Sequence, residues 1–221
     1  MKNEIFSSVD SYISHLFSLN DEALAATEQS IDEANIPQIS VSPVQGKFLH
    51  ILARLCHAKK ILEIGTLAGY STIWLARALP ANGRLITLEL DPRHAAVAQK
   101  NIDHMGLASL VDIRIGKALD LLPQIETEGI APFDMIFIDA DKPPYVEYFQ
   151  WALRLAKPGT LIVADNVIRE GKVLNDNSND EMVMGAQRFN KILAANDAVT
   201  AVIIQTVGAK EHDGMAIAVV N

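Results

Sequence analysis

Short apolar runs that end in acids constrain this chain more than any other feature. Leu85-Ile-Thr-Leu-Glu89 and Met135-Ile-Phe-Ile-Asp139 each stop at an acid. Thr160-Leu-Ile-Val-Ala-Asp165-Asn166 stops at an acid and an amide, and Lys60-Ile-Leu-Glu63-Ile-Gly65 carries an acid into a glycine turn. In an open parallel α/β sheet, ligands sit in the crevice beyond the carboxyl ends of the strands. Acids at those ends face a ligand or a metal rather than bulk water.

The stretches between these runs have helical character. Strands are expected at 60–64, 84–89, 110–115, 134–138 and 160–164, and helices at 70–79, 92–104, 117–127 and 144–156. That alternation predicts a parallel sheet with helices on both faces. A loop at 166–178 leads to a helix at 181–195. Two further runs, 199–206 and 215–220, are separated by Gly208-Ala-Lys-Glu-His-Asp-Gly214. That connection is too short for a helical crossover, so the last two strands are expected as antiparallel neighbours. Residues 1–57 hold no convincing strand and read as a helical cap on a core spanning 58–221, the whole forming one domain. Within the cap, Val9, Tyr12, Ile13, Leu16 and Phe17 share one helical face. Asn20-Asp21 offers a start for a second helix, and Pro37 and Pro43 bracket a loop before a third.

Hydrophobic residues make up 49% of the 221, enough for a sizeable core. The formal net charge of −8 argues against a duplex nucleic-acid surface, which carries a basic stripe. The single Cys56 rules out an internal disulfide framework and fits a reducing compartment. The first residues are too polar for a signal-peptide core, and no apolar run approaches the roughly 18 residues of a membrane span. A soluble, cytoplasmic protein is expected.

The turn Glu63-Ile-Gly-Thr-Leu-Ala-Gly69 lacks the G-x-G-x-x-G pattern whose second glycine admits a pyrophosphate. A nucleoside ligand without phosphates suits it better. Glu89, at the end of the second strand, can accept hydrogen bonds from a ribose diol. S-adenosylmethionine (SAM) has the matching parts: adenosine, a ribose diol and an amino-acid tail. Gly65 lets backbone approach it, Glu63 stands near the tail, and Ser71 at a helix start can meet the carboxylate.

Asp139, Asp165 and Asn166 end adjacent strands, which lie roughly 5 Å apart. Two carboxylates and an amide oxygen suit Mg²⁺, Mn²⁺ or Ca²⁺ and disfavour a zinc site built on thiolates. Lys142, three residues past Asp139, is a candidate general base, because burial lowers a lysine pKa. Asp141 can oppose that effect by stabilising the ammonium.

Glu63-Ile-Gly-Thr-Leu-Ala-Gly-Tyr-Ser71, Leu88-Glu-Leu-Asp-Pro92, Ile138-Asp-Ala-Asp-Lys142 and Ala164-Asp-Asn166 together resemble the motifs of class I methyltransferases. More narrowly, they resemble the cation-dependent O-methyltransferases of the caffeoyl-CoA and catechol type. Ser42-Pro-Val-Gln-Gly-Lys47 and Lys210-Glu-His-Asp-Gly214 are similar to further segments of its bacterial branch. The resemblance implies a Rossmann-like, seven-stranded sheet of order 3-2-1-4-5-7-6 with strand 7 antiparallel. It implies a metal on Asp139, Asp165 and Asn166, with Lys142 as base. It also implies SAM contacts from Val41, Glu63, Gly65, Ser71, Glu89 and Ala118, with Asp139 near the methionine tail, and a homodimer. Asp141 matches the caffeoyl-CoA and bacterial members, whereas the animal catechol enzymes carry tryptophan there.

The expected activity is SAM- and metal-dependent O-methylation of a catechol-like phenol such as a caffeoyl derivative. Some bacterial relatives methylate a hydroxylated uridine in transfer RNA, so that acceptor stays open. A non-catalytic SAM-binding module is a second alternative, although SAM binding alone needs neither the metal set nor Lys142. His15, His50, His57, His94 and His104 show no metal-type pairing and are read as structural or solvated, and His212 as a loop residue near the last hairpin.

Overall fold

The computed structural model describes residues 2–17, 19, 21–209 and 211–221. Asn20 of the expected helix start and Lys210 of the Lys210–Gly214 segment lie outside the described residues. Three helices come first: α1 (Lys2–Leu16), α2 (Glu22–Glu33) and α3 (Pro43–Leu55). The alternating part follows as β1 (Lys60–Ile64), α4 (Tyr70–Ala76), β2 (Arg84–Glu89), α5 (Pro92–His104) and β3 (Val111–Ile115). It continues with α6 (Ala118–Thr127), β4 (Met135–Ile138), α7 (Tyr145–Arg154) and β5 (Leu161–Ala164). A short 3-10 segment (Arg169–Leu174), α8 (Glu181–Ala194), β6 (Val199–Gly208) and β7 (Glu211–Val220) complete the chain.

Local chemistry sets the helix starts. The Asp21 side chain accepts from Leu24 N–H at 2.8 Å. Ser42 and Gln45 form a reciprocal capping box with Pro43 in the first turn of α3. Asp91 and Asp180 cap α5 and α8 as Asp21 caps α2, each through its carboxylate alone.

The sheet has seven strands in the order β3-β2-β1-β4-β5-β7-β6. β7 pairs antiparallel with both β5 and β6, and the remaining pairs are parallel. Alternate strand residues build two cores. Leu62, Ile86, Ile136 and Ile162 face α6–α8, with Phe149 and Phe189 among them. Ile61, Leu85, Met135 and Leu161 face α3–α5, packed on Leu49, Trp74 and Ile102. α3 therefore serves as a layer helix as well as leading into the sheet.

One expectation changes. The polar stretch 208–214 is mostly strand: Val207 pairs with His212 and Gly208 with Glu211. Pairing with β6 on one side overrides its glycines and charges, so His212 is a strand residue and not a loop residue. The shared apolar face of α1 stays largely open: Val9, Tyr12, Leu16 and, just past the helix, Phe17 are exposed, and of this set Ile13 packs on the core.

Candidate active site

Register brings the expected metal acids together. Ile138 of β4 pairs with Ala164 of β5, so Asp139 and Asp165 leave the sheet side by side. The Asp165 N–H donates to the Ile138 carbonyl at 3.0 Å. Asp165 is 2% exposed. Burial, reinforced by the Asp139 charge, pushes its carboxyl up from the usual carboxylate range. Asn166 follows with φ +55°. Two close carboxylates and an amide oxygen fit a hard divalent cation, whose charge would relieve the repulsion that now favours protonation of Asp165. Among the described residues, no cluster of three His, Cys, Asp or Glu side chains forms a metal site. Asn166, the third member of the expected set, offers an amide oxygen and so falls outside those residue types.

Lys142 is 2% exposed, which no ordinary surface lysine is. Its Nζ donates to Tyr145 Oη at 2.5 Å and to the Ala140 carbonyl at 2.9 Å, and lies 3.5 Å from Asp139 Oδ1. Burial lowers its pKa, although Asp139 and Asp165 work in the opposite direction. Asp141 does not oppose that shift by pairing with the lysine. Its carboxylate accepts instead from Tyr148 Oη at 2.8 Å.

Glu63 is fully buried below the glycine turn. It accepts from Ser71 Oγ at 2.6 Å, Thr72 Oγ1 at 2.5 Å and Thr87 Oγ1 at 2.7 Å. Thr87 gives its proton to Glu63, so Thr66 Oγ1, 2.5 Å away, donates to Thr87. Burial raises the Glu63 pKa to about 7 despite these three hydroxyls, with Asp139 adding to the rise. The Ser71 hydroxyl is thus committed as a donor to Glu63. Gly65, at φ +100°, is required by packing: a Cβ there would collide with the Asp139 carbonyl. It brings the β1 turn against the end of β4.

Glu89 anchors the same turn from the end of β2. Its Oε2 accepts from Thr66 N–H at 3.2 Å and Leu67 N–H at 2.8 Å, and its Oε1 from Asp91 N–H at 2.9 Å. Each carboxylate oxygen has two lone-pair sites, so Oε1 keeps one for a ligand hydroxyl. His94 Nδ1 lies 3.6 Å from that oxygen. Ala118 opens α6 two residues after Gly116, whose N–H donates to the Glu89 carbonyl at 2.8 Å.

A cavity of about 390 Å³ opens beside the acids, lined by Val41, Phe48, Asp165, Asn166, Ile204 and Met215 among others. Ser40 Oγ, also on its wall, is buried without a hydrogen-bond partner among the described residues. The orphaned Ser40 hydroxyl offers this cavity a polar contact, and the spare Oε1 site of Glu89, outside it, fits a ligand hydroxyl such as the ribose of SAM. Glu63, Gly65, Ser71, Glu89 and Ala118 are not part of the cavity lining. A second hollow of about 410 Å³, among Arg54, His57, Lys59 and Arg77, contains none of the expected site residues.

Sequence reasoning missed Thr72, Thr87 and Tyr145, which dress Glu63 and Lys142. Thr87, a lone polar residue inside an apolar strand, was the available signal. Asn190 on α8 donates through Nδ2 to the Val167 carbonyl at 2.8 Å, beside the Asp165-Asn166 turn.

Comparison with known proteins gives a consistent result. A family model described as O-methyltransferase matches residues 15–219. The chain is 70% identical to a catechol O-methyltransferase of Niastella koreensis over 100% of both chains. It is 46% identical to a catechol O-methyltransferase of Mycobacterium tuberculosis, over 96% of this chain and 95% of the relative. The crystal structure of the O-methyltransferase from Bacillus cereus in complex with SAH superposes with a TM-score of 0.97, at 50% identity and 99% coverage of both chains.

Proposed function

The chain belongs to the O-methyltransferase family and is a SAM-dependent O-methyltransferase; from that premise we propose that it methylates one hydroxyl of a catechol-like vicinal diol with the help of a divalent cation. The observation that carries this reading is the buried Lys142 amine, 3.5 Å from Asp139 Oδ1, with Asp165 leaving the neighbouring strand beside it. The names of the Niastella and Mycobacterium relatives support the acceptor class.

Asp139, Asp165 and Asn166 hold the cation, with Mg²⁺ the best match and Mn²⁺ or Ca²⁺ the alternatives. A cation in that position supplies positive charge beside the diol oxygens and favours the ionised hydroxyl. Glu89 accepts from the ribose diol of SAM. Gly65 and Glu63 shape the turn and its floor, and Val41, Ser71 and Ala118 flank the ligand. Lys142 accepts the proton of the acceptor hydroxyl at Nζ. Burial makes the neutral amine more available, while Tyr145 Oη and the Ala140 carbonyl hold it in place. The acceptor oxygen then bonds the sulfonium methyl as the methyl–sulfur bond breaks, leaving SAH and a methyl ether. We place this chemistry in a cytoplasmic homodimer. The free Cys56 supports the compartment and the bare apolar face of α1 supports the dimer.

The test is methyl transfer from labelled SAM to paired acceptors, catechol and caffeic acid against resorcinol and a monophenol. Transfer confined to the vicinal diols is expected. Equal transfer to resorcinol would remove the basis for chelation of two neighbouring oxygens.

A further inference from the structure

The chain just after Asn166 is fastened to β7 through consecutive backbone groups. The Val167 N–H donates to the Gly214 carbonyl at 3.1 Å. The N–H groups of Ile168 and Arg169 both donate to Asp213 Oδ1, at 2.9 Å each. The Gly214 N–H reaches the same oxygen at 2.8 Å. One carboxylate oxygen thus gathers three backbone donors, two of them from the segment that follows the amide ligand. Charge-assisted bonds of this kind are roughly twice as strong as neutral ones.

The segment needs such an anchor. Asn166 and Arg169 have φ +55° and +53°, in the left-handed region that L side chains rarely enter. Strained residues of this sort cost about 1–3 kcal/mol each and persist where surrounding contacts over-determine them. Gly214 completes the seat. A Cβ at 214 would collide with the Ile168 side chain and come within 2.9 Å of the Ile204 carbonyl. The loop is therefore pressed flat on β7, while Asn190 holds the Val167 carbonyl from α8. Asp213 is 9% exposed and lines the same cavity as Asp165 and Asn166. Among the described residues, no hydrogen bond is made by its Oδ2.

We propose that Asp213 is the positioning residue of the cation site, fixing the Asn166 amide against Asp139 and Asp165 through the backbone of residues 167–169. The inference rests on the reading that these three residues hold a divalent cation. Asp213 does not itself touch the cation. It acts by keeping the third oxygen in register, as outer partners of metal ligands generally do.

Mn²⁺ binding followed by loss of the free-ion electron paramagnetic resonance signal tests this without turnover. Wild type, Asp213→Asn and Asp213→Ala are compared, with SAM affinity measured by calorimetry on the same samples. Asp213→Ala should weaken Mn²⁺ roughly 10–100-fold, the range typical of lost outer partners. Asp213→Asn, which keeps an acceptor oxygen, should fall between it and wild type. SAM affinity should stay within about twofold, and saturating Mg²⁺ should restore most of kcat. Should the alanine variant fail to fold, the asparagine variant decides. Wild-type Mn²⁺ affinity in a folded variant that is merely less heat-stable would overturn the proposal, as would parallel loss of SAM binding. Wild type that binds no Mn²⁺ would overturn the cation reading itself, and this inference with it.

Discussion

The Lys142 amine lies 2.5 Å from the Tyr145 hydroxyl, and both groups are buried behind Asp139 and Asp165. That hydroxyl also stands 3.1 Å from the Asp165 carbonyl and 3.2 Å from the Ile138 carbonyl. Tyr145 therefore ties the amine to the ends of β4 and β5. Lys142→Met should lower kcat roughly a hundred- to ten-thousand-fold, the usual range for a lost general base, while leaving SAM affinity intact. Single-turnover rates and calorimetry would show it. Full turnover in the methionine variant would exclude the base assignment.

The same contact has a pH consequence. A base must be neutral, so activity should rise with pH as Lys142 loses its proton, and burial brings that rise below the ordinary lysine range. Tyr145 accepts a hydrogen bond that favours the ammonium. Tyr145→Phe removes it, so the acid limb of the kcat/KM profile should move to lower pH. An acid limb moving upward would mean that the hydroxyl serves the neutral amine instead.

Glu89 anchors the turn and, on the proposed reading, also accepts from the ribose, which calls for a gentle substitution. Alanine would release the Thr66 and Leu67 N–H groups and loosen the whole turn. Glu89→Gln keeps an acceptor there but removes the charge and part of the acceptor capacity facing the ribose. SAM affinity should drop about tenfold, in line with one charged hydrogen bond, and Mn²⁺ affinity should not change. Unchanged SAM affinity by calorimetry would remove Glu89 from the cofactor site.

Glu63 gives a signature in stability. Its pKa in the folded protein is about 7 against an ordinary 4.5. Between those values the folded protein binds more protons than the unfolded chain. The contribution of Glu63 to stability is thus full below about pH 4.5 and lost as pH rises through about 7. At about 1.4 kcal/mol per pKa unit, roughly 3 kcal/mol is at stake in metal-free protein. Urea melts across that window should show the slope in wild type and a flatter one in Glu63→Gln. Identical slopes would assign the pH dependence to other groups.

Tyr12 on α1 and Phe17 just past its end are 66% and 65% exposed, beside Val9 and Leu16. A contiguous apolar face left open marks an association surface. Sedimentation velocity should give the wild type at twice the monomer mass, and Tyr12→Glu with Phe17→Glu should give the monomer. A monomeric wild type would remove the dimer.

The sheet was legible because buried parallel strands write themselves as short apolar runs, and each expected strand of the alternating part was found within a residue of its place. The acids were legible because register carries the ends of neighbouring strands to one edge. What escaped were residues whose partners are distant in sequence. Asp213 reads as part of a polar turn until β7 inserts between β5 and β6 and brings it under Ile168 and Arg169. Tyr145 reads as an ordinary core aromatic until the bend at Pro143-Pro144 folds Lys142 back onto it. The α1 face shows the opposite limit: periodicity reports an apolar stripe but not what covers it.

The most direct test of the central claim is metal add-back. Protein stripped with EDTA and dialysed should transfer no methyl group from SAM to catechol, and added Mg²⁺ should restore turnover in wild type but not in Asp165→Ala at the same concentration. Full activity in the stripped protein, or equal restoration in the Asp165 variant, would contradict a cation held by Asp139, Asp165 and Asn166.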